Sequence, residues 1–306
     1  MSKFQRSWLL MKSSLSVIGR NKQLLVFPIV VFICTIGIVT FFLAPPLLRP
    51  TGHSYTSAEH WQAIGHSLFT ESPNGASRAH IGFTPGAMVY LAFLYFLSMF
   101  IATFCNVAFY HEILAALTGQ PVSIARGLKF AGTRLWSIVM WTLFAGVVGL
   151  IIKAIEQRMA IVGQIIARII GLAWSIAAVF AIPVIVRKET NANPVVVLRD
   201  SAGILKRTWG EALIGYAGLT FASSLITLGT LMLVVGAVIL SVALGNFWII
   251  ACILPLWLLF VFAWSYVTSV ASHVYRGALY LYAAEGVVPA PYDQQMLDMA
   301  WKFKKR

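Results

Sequence analysis

Few of the 306 residues are of the kinds that perform chemistry, so their spacing is the first thing to weigh. His111-Glu112 opens the pattern of a zinc-protease helix, where a second histidine four residues after the first completes a metal site on one face. Ile113, Leu114 and Ala115 follow instead, so the second imidazole is missing and that site does not form. The pair reads better as the end of a membrane helix, with His273 or Arg276 as a polar partner. Four more histidines, His53, His60, His66 and His80, share a polar stretch with Glu59. Neutral imidazole is a common metal ligand. These four show no HxH or HxxxH spacing, however, and read as solvated loop residues.

The most pointed feature is Arg168, about a third of the way into an apolar run, with Gln164 one helical turn before it. On a helix, Lys153, Gln157, Gln164 and Arg168 fall near one stripe. A charge at the centre of a span costs roughly 2.5–3.5 kcal/mol on insertion scales unless it is paired or wetted. Glu156 is the nearest acid and the natural partner. Gln164, Arg168 and Glu156 therefore form the candidate polar membrane site. They are either an anion contact in a cavity or a structural ion pair near the outer leaflet. No GxSxG, Walker lysine loop or dinucleotide fingerprint occurs. The chain reads as non-enzymatic, with no catalytic residues, no metal site and no cofactor expected. Only ten acidic residues exist and none sits mid-span, which argues against proton coupling through membrane carboxylates.

The elements that must carry these residues follow from composition. The chain is 59% hydrophobic and 11% charged, with mean hydropathy +0.82. Soluble domains are nearer a quarter charged. Six apolar runs are long enough for a bilayer, which needs about 20 residues each. They cover Leu24 to Leu43 (ending at Pro45-Pro46), Ala87 to Ala108 (continuing as helix to Leu117), Leu135 to Ile152, Ile161 to Val186, Leu213 to Leu244, and Phe247 to about Ala284. The predicted fold is an all-α polytopic bundle of six transmembrane helices, one membrane domain over 1–306. A basic amphipathic helix is expected at 1–22, an extracytoplasmic loop at 49–85 and a basic tail at 289–306. The first run is too long for a signal-peptide core, so no cleavable signal is expected.

Of the 23 Lys and Arg residues, Arg49, Arg78, Lys153 and Arg158 fall on one side and Arg168 inside a run; the other 18 fall opposite. That asymmetry places both termini in the cytoplasm. The net charge of +13 then serves topology and anionic lipid headgroups rather than nucleic acid. Cys34, Cys105 and Cys252 each lie inside an apolar run and read as small buried residues. Gly215, Ala222, Gly229, Gly236 and Ala243 recur every seven residues, a seam for close helix packing. A helix of the same chain is the favoured partner, ahead of a second subunit or another membrane-complex component.

Pro121, Val122, Arg126, Arg134 and Trp136 repeat as Pro194, Val195, Arg199, Arg207 and Trp209, and Lys12 and Arg20 repeat the spacing of the two basic residues. At the N-terminus Phe4, Trp8, Met11 and Leu15 recur at helical spacing, opposite Arg6 and Lys12. Each unit would be a basic surface helix followed by a membrane hairpin. On these stretches (Arg6-Ser7-Trp8 through Lys22, Glu156 to Val186, and Leu198 to Gly218) the chain resembles an uncharacterised family of bacterial six-helix membrane proteins. More distantly it is similar in layout to membrane domains attached to some glycerophosphodiester phosphodiesterases. The resemblance implies an inner-membrane location and no established activity. The expected role is membrane-organising or accessory to a larger assembly. The alternative is a channel or permease for a small, possibly anionic, solute.

Overall fold

The computed structural model describes residues 3–71, 81–158, 161–188, 193–294 and 297; side chains are described for these except 3–7, 70–71, 81–82, 161–162 and 207–223. The chain is an all-α bundle with six helices long and apolar enough to span a membrane. The amphipathic α1 (Lys3–Arg20) leads through a short turn into α2 (Val26–Leu47), and α3 (Ala58–Leu68) caps the loop end. The central α4 (Pro85–Leu117) is followed by the short α5 (Ile124–Thr133), then α6 (Leu135–Arg158) and α7 (Ile161–Ala177). After a break come α8 (Ala181–Arg187), the 50-residue α9 (Pro194–Ala243) and α10 (Trp248–Tyr280). The polar loop holds structure that its composition did not announce. Besides α3, β1 (Phe69–Glu71) and β2 (Ile81–Phe83) pair antiparallel, Phe69 opposite Phe83.

Several boundaries differ from the apolar runs. The first membrane helix, α2, passes through Pro45 and Pro46 and ends at Leu47. α6 continues six residues beyond its apolar run, so Lys153 to Arg158 are helical. The run Ile161 to Val186 is two helices. Pro183 has no N–H and disfavours helical geometry at the residue before it, and the chain turns over residues 178–180. Ser201 of α9 fills the gap: its hydroxyl accepts the Phe180 N–H at 3.0 Å and donates to the Ala177 carbonyl at 2.5 Å. A broken helix at membrane depth survives only where such partners are supplied.

The two repeat units also fold differently. After α5 the chain turns at Arg134 and starts a separate α6, whereas the equivalent stretch of α9 runs on without interruption. At 1.5 Å per residue α9 reaches about 75 Å, over twice the roughly 30 Å of hydrocarbon. Its first turns therefore lie outside the span.

Burial is concentrated at the end where α4 and α10 finish. Val107, Ala108, Ile113, Val270, Ala271, Val274 and Ala278 are all fully enclosed. Toward the loop end the same helices expose Val89, Phe93, Leu259 and Phe262, as a lipid-facing surface requires. α1 docks into this core through Leu10, Met11, Ser14, Val17 and Ile18, against α9 and α10, while Lys12 stays exposed. Its buried stripe thus meets protein, and Trp8 is exposed on another face. Phe4 and Arg6, offered as members of that helix's two faces, lie outside the described side chains. Of the cysteines only Cys105 is buried, and Cys252 is exposed. Most of the tail 289–306 lies outside the described residues; its start returns to α1, where Tyr292 shares a 2.7 Å hydrogen bond with Ser14.

Candidate functional site

The candidate Gln164, Arg168 and Glu156 is brought together, but on the outside of the bundle. Arg168 on α7 donates from Nε to Glu156 Oε1 of α6 at 3.0 Å. The arginine side chain is 69% exposed, so it reaches no enclosed path. Gln164 is half-buried one turn earlier. An exposed pair of this kind contributes little in water; beside hydrocarbon its role is to keep a guanidinium neutralised.

The strongly held charge lies at the opposite end. Glu112 has no exposed surface. Ser123 caps α5 with its hydroxyl, and that geometry aims the Ser123 N–H at Glu112 Oε2, 2.7 Å away. Arg126, in the first turn of α5, grips the same carboxylate with Nε to Oε1 at 2.9 Å and Nη2 to Oε2 at 2.7 Å, and also donates to the Pro121 carbonyl. His111 adds its Nδ1–H to Oε1 at 3.0 Å while stacking on Phe130, centroids 4.0 Å apart. Four donors saturate one carboxylate, a charge-assisted fork. The hydrogen bond to Glu112 holds the Arg126 guanidinium's pKa above its ordinary value, against the opposing effect of burial. Gly127 makes the approach possible, since a Cβ there would stand 2.8 Å from the Ala108 carbonyl oxygen.

Thus Glu112 has α5 as its partner, and neither His273 nor Arg276. His273 instead meets the Tyr110 hydroxyl, 3.1 Å from its Nδ1. His111, Glu112 and His273 do not converge on one cavity. The sequence held a hint of the Glu112–Arg126 pair, a lone glutamate in an apolar helix followed by a turn and the repeated arginine, but not the direction in which that turn sends the arginine.

Three cavities follow α8. An apolar one of about 510 Å³ opens beside the helix break and is lined by Asn106, Tyr110, Ser175, Phe180, His273 and Arg276. A second, of about 470 Å³, holds Arg187, Lys188, Arg199 and Asp200; the Phe180 and Tyr280 rings, 6.2 Å apart, stand one at each. A third, of about 290 Å³, lies between the end of α4, Arg134 and Arg187. No group of three His, Cys, Asp or Glu side chains able to hold a metal occurs among the described residues. In the loop, His60 is buried, its Nδ1 2.6 Å from the Thr51 hydroxyl, and His53 pairs with Glu59 at 3.4 Å; His80 lies outside the described residues.

The glycine seam faces outward where it is described. Nothing lies within 4 Å of a Cβ placed at Gly229 or Gly236, and Ala243 is exposed. Among the described residues no helix of the same chain fills that face at these positions; on this stretch of α9 the inward residues are Val234, Ala237 and Ser241. Gly215 and Ala222 lie outside the described side chains.

No curated protein and no solved structure matches the chain. The sequence model of one family does, over residues 86–289, a span that holds both copies of the repeat, the Glu112–Arg126 anchor and all three cavities. By that match, which covers well over half of its length, the chain belongs to DUF6159, a family of unknown function.

Proposed function

We propose that this chain is a non-enzymatic, multi-pass protein of a bacterial inner membrane, both termini cytoplasmic, that organises anionic lipid around its basic end and so supports a larger membrane assembly. The observation that carries the reading is the anchoring of a basic helix. The buried Glu112 fixes α5 against α4, and exposed Lys129 projects from that helix. Lys12, Arg20 and Lys22 are exposed on α1 and the turn after it, and like Lys129 they have no partner among the described residues. A cation held at a headgroup surface contributes about 1 kcal/mol toward anionic lipid. A rigid array keeps that attraction without first having to order its helices. The likeness to membrane domains of some phosphodiesterases enters this reading as a likeness of layout alone. The outward small-residue face of α9 is where a second copy or another subunit would pack.

Arg168 offers little to the permease alternative, because it is exposed and paired with Glu156. One reconstitution tests both. In mixed phosphatidylcholine and phosphatidylglycerol vesicles, energy transfer from the protein's tryptophans to labelled phosphatidylglycerol should exceed that to labelled phosphatidylcholine. The excess should fall with salt, and fall further with Lys12, Arg20, Lys22 and Lys129 all changed to Gln. Equal transfer to the two lipids defeats the lipid reading. Anion flux that disappears in Arg168→Ala would establish the permease instead, and a reporter fused after Arg306 that is active only outside the cytoplasm would reverse the topology.

A further inference from the structure

We propose that the cavity bounded by the end of α4, the α5–α6 corner and the end of α8 is a binding site for a phosphate group. It encloses about 290 Å³, and the side chains that set its chemistry are Arg134, Arg187, His111, Thr118, Gln120 and Phe130.

Arg134 terminates α5, its own N–H bonding the Ala131 carbonyl at 3.0 Å. Its guanidinium carbon stands 5.4 Å from the Phe130 ring centroid. Its Nε is buried with no hydrogen-bond partner among the described residues, and none of their ion pairs includes it. A buried ionised N–H without an acceptor is expensive, and native proteins leave few of them. Arg187 comes from the far wall. Its Nε meets Glu285 Oε1 at 3.0 Å, and it has no second partner among the described residues.

The lining holds two guanidiniums, Arg134 and Arg187, and Glu285 pairs with the second, which leaves one positive charge for a ligand to neutralise. A phosphodiester carries one negative charge, and guanidinium forks match phosphate oxygens in pairs. The opposing effect is the carbonyl end of α4, whose dipole disfavours an anion by about 0.3–1 kcal/mol. That end is already engaged. Leu114 and Ala115 accept from the Thr118 N–H and hydroxyl, and Ala115 also from the Gln120 N–H. Two guanidiniums outweigh what remains. The site also lies where apolar α4 gives way to a polar turn, the level at which a bilayer presents its own phosphates.

The anion chemistry stands without the lipid reading above and rests on it only if the phosphate comes from a headgroup. Full-length protein in non-ionic detergent is titrated with inorganic phosphate in one arm and dioctanoyl phosphatidylglycerol in the other, at constant chloride, and adducts are counted by native mass spectrometry. One saturable adduct is expected in at least one arm. Binding in the lipid arm alone assigns a headgroup site; binding in the phosphate arm, with or without lipid, assigns a site open to free phosphate. Arg134→Gln should weaken the adduct about tenfold, with partial recovery in Arg134→Lys. Arg187→Gln should act in the same direction and carries the comparison if Arg134→Gln does not fold. No saturable adduct in either arm, or foldable variants that bind as wild type does, overturns the proposal. The four-site Gln variant of the exposed collar should keep the adduct. Loss of lipid enrichment in wild type with the Arg134-dependent adduct intact would sink the lipid reading and spare this site; the reverse would sink the site alone.

Discussion

Glu112 is a carboxylate without exposed surface in a chain that has only ten acidic residues. Burying a charge is tolerable because Arg126, Ser123 and His111 together occupy its lone pairs. Removing one member of a buried pair strands the other, at a cost of 3–5 kcal/mol in typical cases. Arg126 keeps a route to solvent, with 38% of its side chain exposed, so Glu112→Ala should fall near the low end, about 3 kcal/mol. Equilibrium unfolding in mixed detergent micelles measures it, and a loss under about 1 kcal/mol would show that the pair does not anchor α5. The sequence drew attention to this glutamate through an incomplete metal motif, which pointed to the right residue for the wrong chemistry. Its partner was not legible because Arg126 lies beyond a turn whose direction only packing decides.

At the scale of elements, the break between α7 and α8 governs where the polar groups of the interior meet. It lowers the helix into the wall of the apolar cavity and turns Arg187 toward two others. Hydropathy could not show it, since residues 161–186 are apolar on both sides of the interruption, and Pro183 was the sole hint. What makes the break stable is Ser201, fully buried and 24 residues from the carbonyl it binds. Ser201→Ala leaves the Phe180 N–H and the Ala177 carbonyl unpaired in a dry setting, a loss of about 1–3 kcal/mol. Hydrogen exchange at residues 178–181 should quicken in the variant. Unchanged exchange and stability would mean that the turn supports itself.

Over the whole molecule, α1 and the start of the tail, far apart in sequence, are joined at the Ser14–Tyr292 hydrogen bond beside the core formed by α9 and α10. Burial pushes the Tyr292 phenol well above its ordinary value near 10, with the Ser14 hydrogen bond a smaller opposing effect. Below about pH 10 both folded and unfolded chains keep the proton, so the stabilising contribution is whole. Above it the unfolded chain ionises first, and stability declines as pH rises toward the folded value. This contribution to the unfolding temperature should therefore hold up to about pH 10 and fall as pH rises above it, and Tyr292→Phe should flatten part of that fall. An identical fall in both proteins would show that the phenol is not enclosed.

Sequence by itself determined the number of helices long and apolar enough to span and the helical state of each apolar run, because hydrocarbon leaves a backbone no other way to satisfy its peptide groups. It also placed Arg168 beside Glu156, since the two lie twelve residues apart across one hairpin. Tertiary structure alone decided that this pair faces outward, that Glu112 holds α5, that α9 carries its surface helix unbroken into the membrane, and that Arg134 and Arg187 share a cavity. Those outcomes depend on which helix faces meet, and helix-facing is set by packing between segments far apart in the chain, which periodicity within a segment does not encode.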